Sequence, residues 1–102
     1  AGAEMIFVEA VTELAEYSTI KAAAYVPILA NITEFGKTPM FTTNQLAEHG
    51  VEMVLYPLSV VRTMNKAAEN ALREIREKGT QEGIVKDMQT RQQLYDVLEY
   101  EA

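Results

Sequence analysis

The 102-residue sequence contains no cysteine, so it can form no disulfide, no thiolate metal site and no cysteine nucleophile. A chain without cysteine suits a reducing compartment. Histidine occurs once, as His49, which leaves no paired histidine ligands. There is likewise no Ser-His-Asp grouping, no glycine-rich phosphate loop and no obvious acidic metal cluster. Basic residues are outnumbered, with 9 Lys and Arg against 15 Asp and Glu and a formal net charge of −6. That balance argues against a nucleic-acid-binding face, which needs positive charge. No apolar run approaches the roughly 18 residues of a membrane-spanning helix. The opening Ala1-Gly2-Ala3-Glu4 has neither a basic n-region nor an apolar h-region, so no signal peptide is expected. An initiator methionine is also absent. That fits a chain cut from something longer, although methionine removal before Ala1 would leave the same start.

What is present is an ordinary balance for a soluble domain: 48% apolar and 24% charged residues. The length allows one small domain with a modest core. Met5-Ile6-Phe7-Val8 is short, apolar and partly β-branched, as a buried strand requires. Val11 to Ala24 reads as a helix. Val26 to Ala30 is a second strand, with Pro27 near its start where no ladder donor is needed. Thr42 to His49 is a short helix, opened by a Thr42/Gln45 capping box and stopped by Gly50. Val51 to Tyr56 is a third strand, ended by Pro57. The longest helix runs from Ser59 or Val60 to Lys78. Its Met64, Ala67, Ala68, Ala71, Leu72 and Ile75 fall at the spacing of one buried stripe. Glu69–Arg73 and Glu74–Lys78 form i,i+4 pairs on its wet side, and Gly79 ends it. A brief helix weakened by Gly83 is expected between Thr80 and Met88. Thr90 and Gln93 then cap a last helix carrying Leu94, Val97 and Leu98.

Strands alternating with helices imply an α/β fold with three parallel strands, each followed by a helix, plus C-terminal helices. The strands recur at roughly two-dozen-residue intervals, as in (β/α)8 barrels and doubly wound sheets alike. Three parallel strands leave both edges open, and a full barrel needs about 250 residues. The expectation is therefore part of a larger parallel α/β structure. The alternative is a small three-stranded domain completed by self-association.

Ligands in such folds bind beyond the C-terminal ends of the strands. That rule selects Glu9, then Asn31 with Thr33 and Glu34, then Tyr56-Pro57-Leu58-Ser59 with Arg62. A carboxylate, a carboxamide, hydroxyls and a guanidinium on one rim suit a small polyanion, since Arg grips carboxylates by paired hydrogen bonds. Structural readings compete at each position. Glu9 could simply favour the dipole of a following helix, Asn31 could be a turn residue, and Arg62 could be a surface charge. Arg91, in the first turn of the last helix, opposes the dipole there, which favours an anionic partner. His49 at a helix C-terminus is read as structural, the methionines as core filler, and Glu99 and Glu101 as solvated.

Longer stretches resemble a known family. Phe7-Val8-Glu9-Ala10-Val11-Thr12-Glu13 is similar to the strand-end glutamate motif of the isocitrate lyase superfamily. Pro27 to Pro39, reading PILANITEFGKTP, resembles a motif of 2-methylisocitrate lyases. So do Leu55-Tyr56-Pro57-Leu58-Ser59, Arg62 with Met64-Asn65, Ala67-Ala68-Glu69, and Met88-Gln89-Thr90-Arg91 with Leu94-Tyr95. The blocks span essentially the whole chain in order.

The resemblance implies that residues 1–102 are the C-terminal part of a single (β/α)8-barrel lyase domain. Such an enzyme cleaves 2-methylisocitrate to pyruvate and succinate in propionate degradation by the methylcitrate cycle. Members use Mg²⁺ and are typically cytoplasmic tetramers. By the same resemblance, Glu9 contacts substrate and lies beside the metal's water shell without being a ligand. Asn31, Ile32, Thr33, Arg62 and Arg91 bind substrate, while Leu55 and Pro57 shape the pocket for the extra methyl group. Isocitrate lyases generally carry other residues at those two positions. The family's catalytic cysteine, in a Lys-Lys-Cys-Gly-His segment, and the aspartates that hold Mg²⁺ are both missing here. The expected partners are therefore small tri- and dicarboxylates, the missing N-terminal barrel part and further copies of the subunit, and the piece alone should be inactive. Within enzymes the alternatives are isocitrate lyase, a phosphonopyruvate-type mutase or hydrolase, and an oxaloacetate decarboxylase. Outside them stands a non-catalytic α/β interaction module.

Overall fold

In a computed structural model, which describes residues Ala1 to Glu101, the chain runs β1 (Ile6–Val8), α1 (Leu14–Ala24), β2 (Ile28–Asn31), α2 (Thr43–Glu48), β3 (Met53–Leu55) and α3 (Ser59–Lys78). A 3-10 turn (Glu82–Asp87) and α4 (Arg91–Leu98) follow. The expected α/β order is therefore present, with narrower elements. Two compact units divide the chain, one from Ala1 to Thr63 and one from Met64 onward.

The first unit is built on a parallel sheet in the order β1-β2-β3. Ile6, Phe7 and Val8 pair with Ile28, Leu29 and Ala30, while Leu29, Ala30 and Asn31 pair with Met53, Val54 and Leu55. Alternation along the strands makes two unlike faces. Ile28 and Ala30 are fully buried, in a core with Val11, Tyr17, Ile32, Leu46 and Val51; Val8, Leu14, Ile20, Phe41 and Val54 pack against it. The alternate positions face away from that core, and of these Phe7, Met53 and Leu55 remain exposed. Parallel sheets are ordinarily covered on both faces, so this one is half dressed.

Caps fix the helix limits. α1 starts three residues later than its apolar pattern predicts, because Thr12 and Glu13 are used before it. The Glu16 carboxylate accepts hydrogen bonds from the Thr12 and Glu13 backbone amides at 2.8 and 2.9 Å and from the Thr12 hydroxyl at 2.9 Å. These bonds, led by the Thr12 amide, hold its carboxyl below the usual range. Thr42 and Gln45 form the expected box at α2, and Gly50 adopts φ +85° behind it. His49 caps α2, with Nδ1 3.0 Å from the Ser18 hydroxyl, a structural placement. At the N-terminal ends of the strands, the Lys21 ammonium pairs with Glu52 and also donates to the Val26 carbonyl at 3.2 Å. Glu52 accepts from the Ile28 amide at 2.8 Å. Lys21, with the Ile28 amide next, keeps the Glu52 carboxyl below its ordinary range. One carboxylate thus ties α1 to the starts of β2 and β3.

In the second unit, the part of α3 from Met64 onward carries the Glu69–Arg73 and Glu74–Lys78 pairs expected of it. The buried stripe expected along the same helix is not found. Met64 is 62% and Leu72 68% exposed, and no residue of α3 is buried. Periodicity identifies an apolar face, but a face is buried only if something lies against it, and the described residues supply nothing sufficient. The segment expected as a brief helix at Thr80–Met88 is the 3-10 turn, and α4 carries the Thr90/Gln93 box.

Candidate functional site

The strands end at Val8, Asn31 and Leu55. Because Val8, Ala30 and Val54 are in register, the next residues, Glu9, Asn31 and Leu55, follow one another across three adjacent strands. Glu9 is exposed, and Ala10 turns the chain with φ 58° before α1 begins at Leu14. Glu9 is therefore a strand-end residue rather than a first-turn helix acid.

Asn31 is the last residue of β2, and its Oδ1 is shut off from solvent without a hydrogen-bond partner among the described residues. Buried polar atoms are rarely left so, and each costs about 1–3 kcal/mol. An acceptor in this state at a strand end is suited to a donor from outside the described residues. Asn31 is not the self-satisfied turn residue that its type allows. Ile32 is buried in the core, and its amide donates to the Leu55 carbonyl at 2.9 Å. Thr33 is half-buried, and its hydroxyl lies 3.4 Å from the Glu34 carbonyl oxygen.

The best-defined polar cluster joins this loop to the first turn of α3. The Ser59 hydroxyl donates to Glu34 Oε1. Arg62 Nη1 donates to Glu34 Oε2 at 3.0 Å and to the Glu34 carbonyl at 3.2 Å. The guanidinium also sits 5.2 Å from the centre of the Phe35 ring, within cation–π range. Phe35 takes φ 64°, which turns the loop beneath that cation. The Ser59 hydroxyl foremost, then the local backbone and Arg62, hold the Glu34 carboxyl below its usual range. Arg62 is accordingly an organised cation rather than a loose surface charge.

Leu55 lies on the open face beside Asn31, and Pro57 is exposed in the turn before α3. Arg91, the first residue of α4, is exposed and belongs to the second unit. Of the residues expected at the site, the first unit aligns Glu9, Asn31 and Leu55 in one row and fixes Arg62 on the Asn31–Glu34 loop. Position alone placed Glu34 and Ser59 on the rim but gave them no role. The available signal was the three-residue spacing of Ser59 and Arg62, which puts both on one face of the helix.

Among the described residues no group of three or more His, Asp or Glu side chains could hold a metal ion. No helix among them is long and apolar enough to cross a membrane.

No protein-family model matches the chain. Named relatives do. The 2-methylisocitrate lyase of Escherichia coli (strain K12) is 55% identical over 100 residues, covering 98% of this chain and 34% of that protein. The 2-methylisocitrate lyase of Salmonella typhimurium is 53% identical over the same shares of each. Among solved structures, a 2,3-dimethylmalate lyase of the PEP mutase/isocitrate lyase superfamily superposes with a TM-score of 0.78 at 28% identity, covering 94% of this chain and 34% of that one. The chain spans about a third of the length of the curated relatives it matches. Over that third its sequence is similar to 2-methylisocitrate lyases and its fold to a 2,3-dimethylmalate lyase of the PEP mutase/isocitrate lyase superfamily.

Proposed function

We propose that this chain is the C-terminal part of a (β/α)8-barrel 2-methylisocitrate lyase and supplies the substrate-binding side of its pocket. The observation that carries the reading is the unpartnered Asn31 Oδ1 at the end of β2, between Glu9 and Leu55 in the strand register. The uncovered sheet face and two free edges support the barrel: in a closed barrel that face is the packed interior and the edges are paired. The missing N-terminal strands are then the first partner of this chain.

Cleavage of 2-methylisocitrate to pyruvate and succinate breaks the bond between the tertiary carbinol carbon and its neighbour. The hydroxyl loses its proton and becomes the pyruvate carbonyl, while the electron pair moves to the carbon that will be succinate. A proton delivered to that carbon completes succinate. Asn31, Thr33, Arg62 and Arg91 bind and orient the carboxylates of the succinate half, where negative charge grows. Leu55 and Pro57 line the space for the methyl group. A single methyl is worth about 1–3 kcal/mol of discrimination, so these two residues bias substrate choice rather than dictate it. The proton donor and the Mg²⁺ ligands would belong to the rest of the enzyme.

Two assays test the reading. The isolated chain, given Mg²⁺ and 2-methylisocitrate, releases no pyruvate above background; turnover would overturn the division of labour. In the full-length enzyme, Arg62→Ala and Arg91→Ala each lower kcat/KM strongly by leaving a carboxylate unpaired. Normal kinetics in both would remove them from the pocket. Running the same enzyme on isocitrate, phosphonopyruvate, oxaloacetate and 2,3-dimethylmalate decides the substrate within the superfamily.

A further inference from the structure

We infer that Glu34 is a positioning residue: it clamps one end of the Arg62 guanidinium so that the opposite edge is presented to a substrate carboxylate. The inference rests on the reading of Arg62 as a substrate-binding residue and adds what aims it. Arg62 meets Glu34 through Nη1 alone, which reaches both the Glu34 carboxylate and the Glu34 carbonyl. Nη1 carries two hydrogens, enough for these two acceptors without help from the rest of the guanidinium. The edge formed by Nε and Nη2 is left uncommitted by the pair, and it is an edge that grips a carboxylate by two parallel bonds. The Phe35 ring lies beside the guanidinium at 5.2 Å, and the Ser59 hydroxyl holds the other Glu34 oxygen. Glu34 thus has each carboxylate oxygen assigned, one to a hydroxyl and one to a guanidinium.

That assignment makes Glu34→Gln informative. A glutamine of the same shape can keep Arg62 on its oxygen only by turning its NH2 to the Ser59 hydroxyl, which must then accept rather than donate, and it removes the negative charge that holds the guanidinium. An arginine held by a neutral amide and a backbone carbonyl is less firmly fixed than one held by a carboxylate, and ordering it then takes up binding energy. A carboxylate beside Arg62 also offsets its charge, so the clamp gives up some raw attraction for a fixed direction.

The test measures kcat, KM and succinate inhibition in the full-length enzyme for E34Q, R62K and the double variant. E34Q is expected to raise KM and the succinate inhibition constant together by about tenfold, with a smaller change in kcat. On the R62K background, where no planar fork remains to be aimed, E34Q is expected to change neither by more than about twofold. An E34Q enzyme within about twofold of the parent overturns the inference, and so does an equal loss on both backgrounds, which is what a merely structural role gives. If R62K itself leaves KM and succinate inhibition unchanged, the reading of Arg62 fails first and the clamp with it. Should E34Q not fold, S59A probes the same carboxylate, with a several-fold rise in KM expected only where Arg62 is present.

Discussion

Asn31 allows stability and binding to be separated in one substitution. Its Oδ1 is buried without a partner, a state that costs about 1–3 kcal/mol relative to a paired or absent group. Asn31→Leu removes the acceptor and keeps the same branched heavy-atom shape, with two bulkier methyls in place of the amide oxygen and nitrogen, on a sheet face whose neighbours Leu29 and Leu55 are already aliphatic. The unliganded full-length variant should therefore be no less stable than the parent, and up to about 1–3 kcal/mol more stable. Ligand response should move the other way. Succinate at a hundred times its dissociation constant adds about 2.7 kcal/mol to the parent's unfolding free energy, and that increment should vanish in the variant. Urea unfolding with and without succinate reads both quantities. A variant that loses more than about 2 kcal/mol unliganded, yet still gains the full succinate increment, would show that the carboxamide is a structural group and would refute the reasoning.

Three further outcomes follow from the scaffold. Leu46 is fully buried between helix and sheet, so Leu46→Ala should cost about 2–5 kcal/mol in urea unfolding; a loss under about 1 kcal/mol would mean that the core is not closed there. The Glu52 carboxyl, paired with Lys21 and the Ile28 amide, titrates below its ordinary 4.5, so its contribution is complete above that value and fades as pH falls through the lowered folded value. Glu52→Gln should flatten that part of the acid limb of stability, and a profile parallel to the parent's would exclude the clamp. Gly50 and Gly79 both have positive φ, at +85° and +70°, but a Cβ at Gly50 would lie 3.0 Å from Lys21 Cγ, whereas one at Gly79 meets nothing within 4 Å. Gly79→Ala should cost about 1–2 kcal/mol from backbone alone, and Gly50→Ala more, in thermal or urea unfolding; equal losses would show that Lys21 yields freely.

The elements most legible in the sequence are those with local signals. The Thr42/Gln45 and Thr90/Gln93 boxes and the Gly50 stop lie within a few residues of what they cap, and each is formed. That the strands run parallel was legible, because short apolar runs joined by helices need crossover connections. The start of α1 was not, since the pattern from Val11 onward looks helical while Glu16 turns back to hold Thr12 and Glu13 outside the helix. The α3 stripe was read correctly as apolar and wrongly as buried. Burial is a property of two surfaces, and a sequence displays only one of them.

The same distinction governs the candidate site. Residue type and strand-end position sufficed to nominate Glu9, Asn31 and Arg62, because parallel sheets gather function at one end whatever the chemistry. What nomination could not supply is the pairing of Arg62 with Glu34, 28 residues away, or the isolation of Asn31 Oδ1. Both are facts about which polar atoms have found partners. The two carboxylates that anchor this unit show why that matters. Glu52 and Glu34 are each bound to a cation and to a second donor. Glu52 meets its partners at the strand starts, where its donors are a lysine and a backbone amide, so what it fixes is the sheet. Glu34 meets its partners just past the strand ends, and what it fixes is an arginine with an edge to spare. Like carboxylate–cation contacts thus stand at opposite ends of one sheet, and only the Glu34–Arg62 pair lies at the end where parallel α/β folds bind their ligands.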